Sequence, residues 1–266
     1  VGLTGGFGGL SIGKRDTHYC LGSDTHGSRA TALQASSCGL LGFVGAQAKS
    51  IANTSRSTNV IRYDLPTMNG LNGYFAYSTN PFGTEGQPGI ASKGNAYALQ
   101  LTYAAGPLNL GGSLWKSKAE DRTGTAAAGG NQQAYTLTGG WNFGFLTAGL
   151  TFDHSERDSG TIAASATNKR NAWSIPVTVP MGAGTFLFTY TKAGDVKVNG
   201  ATAADSGASL WSLGYDYALS KRTDLYTILA YAKNRDGSAM GLSGFGPSLN
   251  ANATTLVNTT EQVGAG

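Results

Sequence analysis

The triplet Asp-Thr-His occurs twice in one short polar segment, as Asp16-Thr17-His18 and Asp24-Thr25-His26, close to Cys20 and Cys38. Carboxylate, imidazole and thiolate are the donor types of a zinc site, but the intervals match no standard zinc spacing. The two cysteines would instead close a loop in an oxidising compartment, or stay as free thiols. The run Gly8 to Lys14 nearly spells a phosphate-binding loop, yet Arg15 stands where Ser or Thr must reach magnesium, and Leu10-Ser11-Ile12 reads as strand. His154 follows Asp153 at the end of a strand pattern and reads as a loop histidine, with no nucleophile elbow to support a hydrolase. The Asn-x-Ser/Thr triplets at Asn53, Asn252 and Asn258 would matter only in a eukaryotic secreted protein, which nothing else suggests. No catalytic constellation, metal site or cofactor site is expected.

The elements that carry these residues are strands. Forty glycines, twelve tyrosines and ten phenylalanines stand against three methionines, a composition that disfavours helices and suits pleated surfaces with tight turns. Charged residues are 13% of the chain, about half of what an ordinary water-facing surface uses. No stretch approaches the roughly 20 apolar residues of a spanning helix, so a closed antiparallel barrel is the membrane-crossing option left. The net charge of +4 is too small and too scattered for a nucleic-acid platform. Val1-Gly2-Leu3 has neither the basic start nor the apolar run of a secretory leader, so the chain reads as mature or truncated.

Alternation supports the barrel. In Tyr97 to Tyr103, the residues Tyr97, Leu99, Leu101 and Tyr103 share one face and Ala98, Gln100 and Thr102 the other. An aromatic at each end of an aliphatic face is what a lipid-facing strand requires, because amphipathic rings settle at the two membrane interfaces. The pattern recurs over Tyr135 to Trp141, Ala148 to Asp153, Trp173 to Val179, Thr185 to Thr191 (with Leu187 as an exception) and Trp211 to Leu219. Short connections at Gly106 to Leu108, Asn142 to Phe145, Pro180 to Gly184 and Ser220 to Thr223 alternate with long ones at Ala119 to Asn131 and Ala193 to Gly207. Outer-membrane barrels show this asymmetry of periplasmic turns and outer loops. No domain boundary is visible, so residues 1–266 read as one barrel domain.

Three runs are less generic. Gly5-Gly6-Phe7-Gly8-Gly9-Leu10-Ser11-Ile12-Gly13-Lys14-Arg15 resembles the turn and strand before the constriction loop of Gram-negative general porins, the trimeric, sixteen-stranded type. Arg56 to Pro66 resembles the strand after that loop, with Met68 to Gly73 as its periplasmic turn, and Tyr215 to Thr223 resembles a hairpin near the end of the barrel. The resemblance extends over essentially the whole chain. It implies about twelve to thirteen of the sixteen strands, hence a fragment lacking the N-terminal strands and the C-terminal end.

The resemblance makes residues 16–58 a loop folded into the lumen, with a disulfide between Cys20 and Cys38 favoured over a metal site or free thiols. Arg29, Lys49 and Arg56 would then line the constriction opposite the wall residues Arg15 and Arg62, whose neighbours Ile12, Ile61 and Tyr63 would point to lipid. Rings of basic side chains favour anions, although Asp16, Asp24 and Asp64 could create a transverse field. The implied function is passive diffusion of small hydrophilic solutes and ions, anion-preferring, by a homotrimer contacting membrane lipid and lipopolysaccharide in the bacterial outer membrane, with no nucleic-acid partner. The alternatives are a plugged barrel serving as adhesin or anchor, and an outer-membrane lipase. The lipase would need a serine near one of His18, His26 or His154, all expected in loops or at an outer strand end.

Overall fold

The computed structural model describes residues 1–16, 40–44, 49–50, 56–81, 92–121, 131–236, 238 and 261–265. Its strands are β1 (Gly2–Gly5), β2 (Gly8–Asp16), β3 (Phe43–Val44), β4 (Lys49–Ser50), β5 (Arg56–Asp64), β6 (Leu71–Ser78), β7 (Ser92–Ala105), β8 (Leu108–Asp121) and β9 (Gln132–Asn142). They continue as β10 (Thr147–Thr161), β11 (Ala164–Met181), β12 (Gly184–Ala193), β13 (Lys197–Val198), β14 (Ala201–Thr202), β15 (Ala208–Ser220), β16 (Thr223–Asn234) and β17 (Glu261–Ala265). One antiparallel wall runs β1-β2-β5-β6-β7-β8-β9-β10-β11-β12-β15-β16-β17, with the β13–β14 hairpin attached to β11 and a separate β3–β4 hairpin. Among the described residues thirteen strands therefore form the wall, at the upper end of the expected number. Among the described residues β1 and β17 do not pair with each other.

The side-chain period of two divides the wall into two unlike faces. Outward positions carry exposed apolar residues, including Leu99, Leu114, Leu137, Leu150, Leu213 and Leu229, the last 56% exposed. Inward positions are small or hydroxylated: Ala96, Ala98, Ala134, Thr136, Thr151, Ser174, Thr191 and Ser212 are buried. An apolar outside of this extent would aggregate in water and is satisfied in hydrocarbon. Aromatic rings bound it at both ends. Tyr77 packs on Tyr97 at 5.0 Å and Tyr190 on Trp211 at 4.1 Å at the long-connection end, while Phe186 meets Tyr215 at 4.6 Å at the turn end. From Tyr97 to Tyr103 the strand advances about 20 Å, close to the height of an apolar membrane band once tilt is included.

Local chemistry sets the turns. Asn69 and Gly70 close the β5–β6 end with φ of 47° and 86°, the paired left-handed conformation of a type I′ turn. A Cβ on Gly70 would lie 2.1 Å from the Ala104 carbonyl oxygen, so only glycine fits. In β11, Pro176 has no N–H to give, and the β10–β11 register has no pairs between Ala148↔Val177 and Thr151↔Ser174.

The structure corrects one expectation. His154 is not in a loop: β10 continues to Thr161 and β11 begins at Ala164, so the chain beyond His154 is a paired hairpin with a two-residue turn. Its outward residues are polar because they stand above the aromatic girdle, and apolar alternation therefore ends before the strand does. His154 points outward, with Nδ1 2.5 Å from Asn171 Oδ1 and Nε2 3.0 Å from Glu156 Oε1, and Lys169 Nζ donates to Glu156 at 2.8 Å.

Candidate pore-lining site

The inward face of β10 carries Thr151, Asp153 and Ser155, all essentially buried. Asp153 is the one charged member of that set, and it gathers donors. Gly42 N–H donates to its Oδ1 at 3.1 Å, Ser155 Oγ donates to Oδ1 at 2.9 Å, and Thr136 Oγ1 donates to Oδ2 at 3.2 Å. Arg170 on the adjacent β11 stands opposite Ser155 and donates from Nη2 to the Leu40 carbonyl oxygen. Gly42 and Leu40 belong to the segment between β2 and β5. That segment is therefore tied to the luminal face of strands that lie on another part of the wall.

Apolar contact completes the attachment. Leu40 and Leu41 are 0% and 1% exposed and pack with Ala172, Ala193, Ala208, Leu210, Ala230 and Ala232 of β11 to β16. Alanine at five of these six wall positions leaves room for two leucines from the segment, and burying each leucine is worth roughly 1.5–3 kcal/mol. Further round, hydroxyl pairs such as Thr138–Thr151 at 3.0 Å and Ser174–Thr191 at 2.8 Å keep the wall polar without charge.

The basic wall residues lie on β2 and β5. A β-bulge interrupts their register between Gly13 and Arg15, and Asn59 adopts a φ of 53° beside it. The extra residue on β5 changes which side chains face inward: Val60, Arg62 and Asp64 below it, and the fully buried Ser57, opposite Arg15, above it. Ile12, Ile61 and Tyr63 are exposed on the outward face. Arg62 donates from Nε to Asp64 Oδ1 at 2.8 Å, and its guanidinium lies 3.8 Å from the centre of the Tyr74 ring. Because Arg62 and Asp64 share a wall, that carboxylate screens its neighbour rather than opposing it across the lumen.

Of the other residues singled out in the sequence, Arg56 pairs through its backbone with Asp16, and Lys49 lies in β4 opposite Val44. Arg29, Cys20, Cys38, Asp24, His18 and His26 lie outside the described residues. The Asp153, Arg170, Leu40 and Leu41 anchor was missed. The available signal was the parity of Asp153, a carboxylate that follows Gly149 and Thr151 on the small, polar face of its strand.

A one-layer antiparallel wall with lipid-facing rings at two levels, a small hydroxylated inner face and a segment fastened inside it defines a transmembrane β-barrel of porin architecture. Residues 1–237 match the Gram-negative porin family, and the chain belongs to that family. That membership places it in the bacterial outer membrane. It is 31% identical over 200 residues to outer membrane porin protein 32 of Delftia acidovorans, covering 73% of this chain and 51% of that one. The chain spans about half the length of the curated relatives it matches. Among solved structures, the anion-selective porin from Comamonas acidovorans superposes with a TM-score of 0.67 at 24% identity, covering 88% of this chain and 66% of that one. A trimer form of an outer membrane protein of Vibrio cholerae gives 0.60 at 17% identity, with 88% and 69% covered.

Proposed function

We propose that the chain forms most of the wall of a water-filled outer-membrane pore for passive diffusion of small hydrophilic solutes and ions, with a preference for anions. Residues 1–266 act as one barrel domain, and residues 16–58 narrow its lumen. The observation that carries this reading is the attachment of Leu40, Leu41 and Gly42 to the luminal face through Asp153, Arg170 and the alanine patch. A segment held there reduces the cross-section of the lumen, which is the geometry of a filter.

The charge preference rests on Arg15 and Arg62 on the wall, with Arg29, Lys49 and Arg56 contributed by the segment and its flank. Basic groups facing a lumen raise the local concentration of anions. The anion-selective character of the Comamonas porin points the same way. The Vibrio trimer form supports assembly as a homotrimer. Membrane lipid and lipopolysaccharide are the surroundings of the outward face.

The test is the single-channel reversal potential of the full-length protein across a KCl gradient. A potential of the sign for chloride permeation is expected. A cation-selective pore would retain the channel and sink the charge assignment, while absence of conductance would leave a plugged barrel acting as anchor or adhesin.

A further inference from the structure

We propose that Tyr74 is a positioning residue for the charge filter: its ring holds the Arg62 guanidinium in a one-oxygen contact with Asp64 and keeps the pair from closing into a two-oxygen fork. The inference rests on Arg62 facing the ion path. In β6, Tyr74 is the aromatic with inward parity, since Phe75 and Tyr77 lie on the outward face. It is 4% exposed and belongs to one buried cluster with Val60, Ala76, Ala98 and Trp115, so the ring has a fixed place. The Arg62 guanidinium lies 3.8 Å from its centre. The neighbours of Arg62 in its own row are small: Ser11 and Ala76 stand on either side of it, with Gly2 and Ala98 beyond. A long side chain over such a floor keeps much of its rotamer freedom unless the next row restrains it. In that row Gly9, Asp64 and Tyr74 stand in register.

The pairing geometry shows what the ring prevents. Nε and Nη2 of Arg62 both donate to Asp64 Oδ1, at 2.8 and 2.5 Å, so two donors share one acceptor. The stronger arrangement of guanidinium and carboxylate is a fork, with two parallel bonds to two oxygens. Asp64 Oδ2 instead lies on the side of Gly9, 3.8 Å from the position a Cβ would take there. To reach the fork the guanidinium has to slide along the carboxylate and leave the face of Tyr74. A cation over the face of a partly exposed ring is favoured roughly two- to fivefold in population. That suffices to bias a pair whose side chains are 17% and 35% exposed. In the one-oxygen contact the carboxylate cancels less of the guanidinium charge, and Nη1 stays on the side away from Asp64. Anions therefore meet more of the Arg62 charge with the ring in place.

The experiment measures the reversal potential of the full-length protein across a KCl gradient in planar bilayers, for Tyr74→Leu, Tyr74→Phe, and Tyr74→Leu combined with Asp64→Asn. Tyr74→Leu is expected to lower the chloride-to-potassium permeability ratio about twofold, the lower end of the bias a ring supplies. Tyr74→Phe keeps the ring face and is expected to match the wild type. Against Asp64→Asn alone, the added Tyr74→Leu is expected to change nothing, because no carboxylate remains to close the fork. A loss of selectivity that persists undiminished in the Asp64→Asn background would mark a packing defect in the wall and overturn the proposal. Wild-type selectivity in Tyr74→Leu, or an equal loss in Tyr74→Phe, also overturns it. Heat-modified migration on gels identifies folded barrels, and Tyr74→Met carries the same expectation where Tyr74→Leu does not fold. Arg62→Ala separates this inference from the reading beneath it. An unchanged reversal potential there would remove Arg62 from the ion path and sink the charge assignment together with the inference, whereas a shift in Arg62→Ala without one in Tyr74→Leu overturns the inference alone.

Discussion

Removing the Asp153 carboxylate tests how the inner segment is held. Asp153→Ala deletes the acceptor of the Gly42 N–H, at 3.1 Å, and of the Ser155 and Thr136 hydroxyls. The hydroxyls can rotate to other acceptors, but the Gly42 N–H cannot. A hydrogen bond to a buried charged acceptor contributes about 1.5–3 kcal/mol, and about 1.4 kcal/mol is tenfold in an equilibrium. The attached state should thus lose roughly ten- to hundredfold in population relative to the detached one. Leu40 and Leu41 remain seated on the alanine patch and hold back complete release. The expected result in planar bilayers is a larger mean conductance with more open-channel noise, and a smaller change in Asp153→Asn, whose carboxamide oxygen still accepts. Heat-modified migration on gels would establish that the barrel has folded. Wild-type conductance and noise in a folded Asp153→Ala protein would refute the attachment as a determinant of pore size.

Three other outcomes follow from the wall. Asp64→Asn removes the carboxylate that screens Arg62 and should move the reversal potential further toward chloride, whereas Arg62→Ala should move it toward zero or past it; opposite signs would show that neither side chain faces the ion path. Gly70→Ala sets a Cβ against the Ala104 carbonyl at a φ of 86° and should lower stability by more than about 1 kcal/mol, visible as a reduced urea midpoint for unfolding from lipid vesicles. Leu137→Arg on the lipid face should cost about 2–4 kcal/mol if the residue lies at mid-bilayer, while Thr138→Arg, one position along and facing inward, should fold and instead strengthen anion preference; equal folding of the two would contradict the assignment of faces.

Much of this molecule is written strand by strand. Alternation along Tyr97 to Tyr103 or Trp211 to Leu219 needs only the period of two to assign an outside and an inside. Rings at the ends of those runs locate the membrane, because tyrosine and tryptophan seek its interfaces. The wall positions of Arg15 and Arg62 were legible for the same reason. So was the hairpin asymmetry, since Gly, Pro and Asn act locally on the backbone.

Beyond the membrane the same signal fails. The extension of β10 and β11 past His154 is held by cross-strand pairing of polar residues, and polar outward positions there leave no alternation to read. Tertiary structure alone brings Gly42 to Asp153 and Leu40 to Arg170, across 111 and 130 residues. It also flips the inward face of β5 at the bulge beside Asn59 and sets the Tyr74 ring against the guanidinium of Arg62. Periodicity states which way a side chain points, but not which distant strand stands beside it. That partner is decided by register and by the curvature of the wall, which only the folded chain possesses.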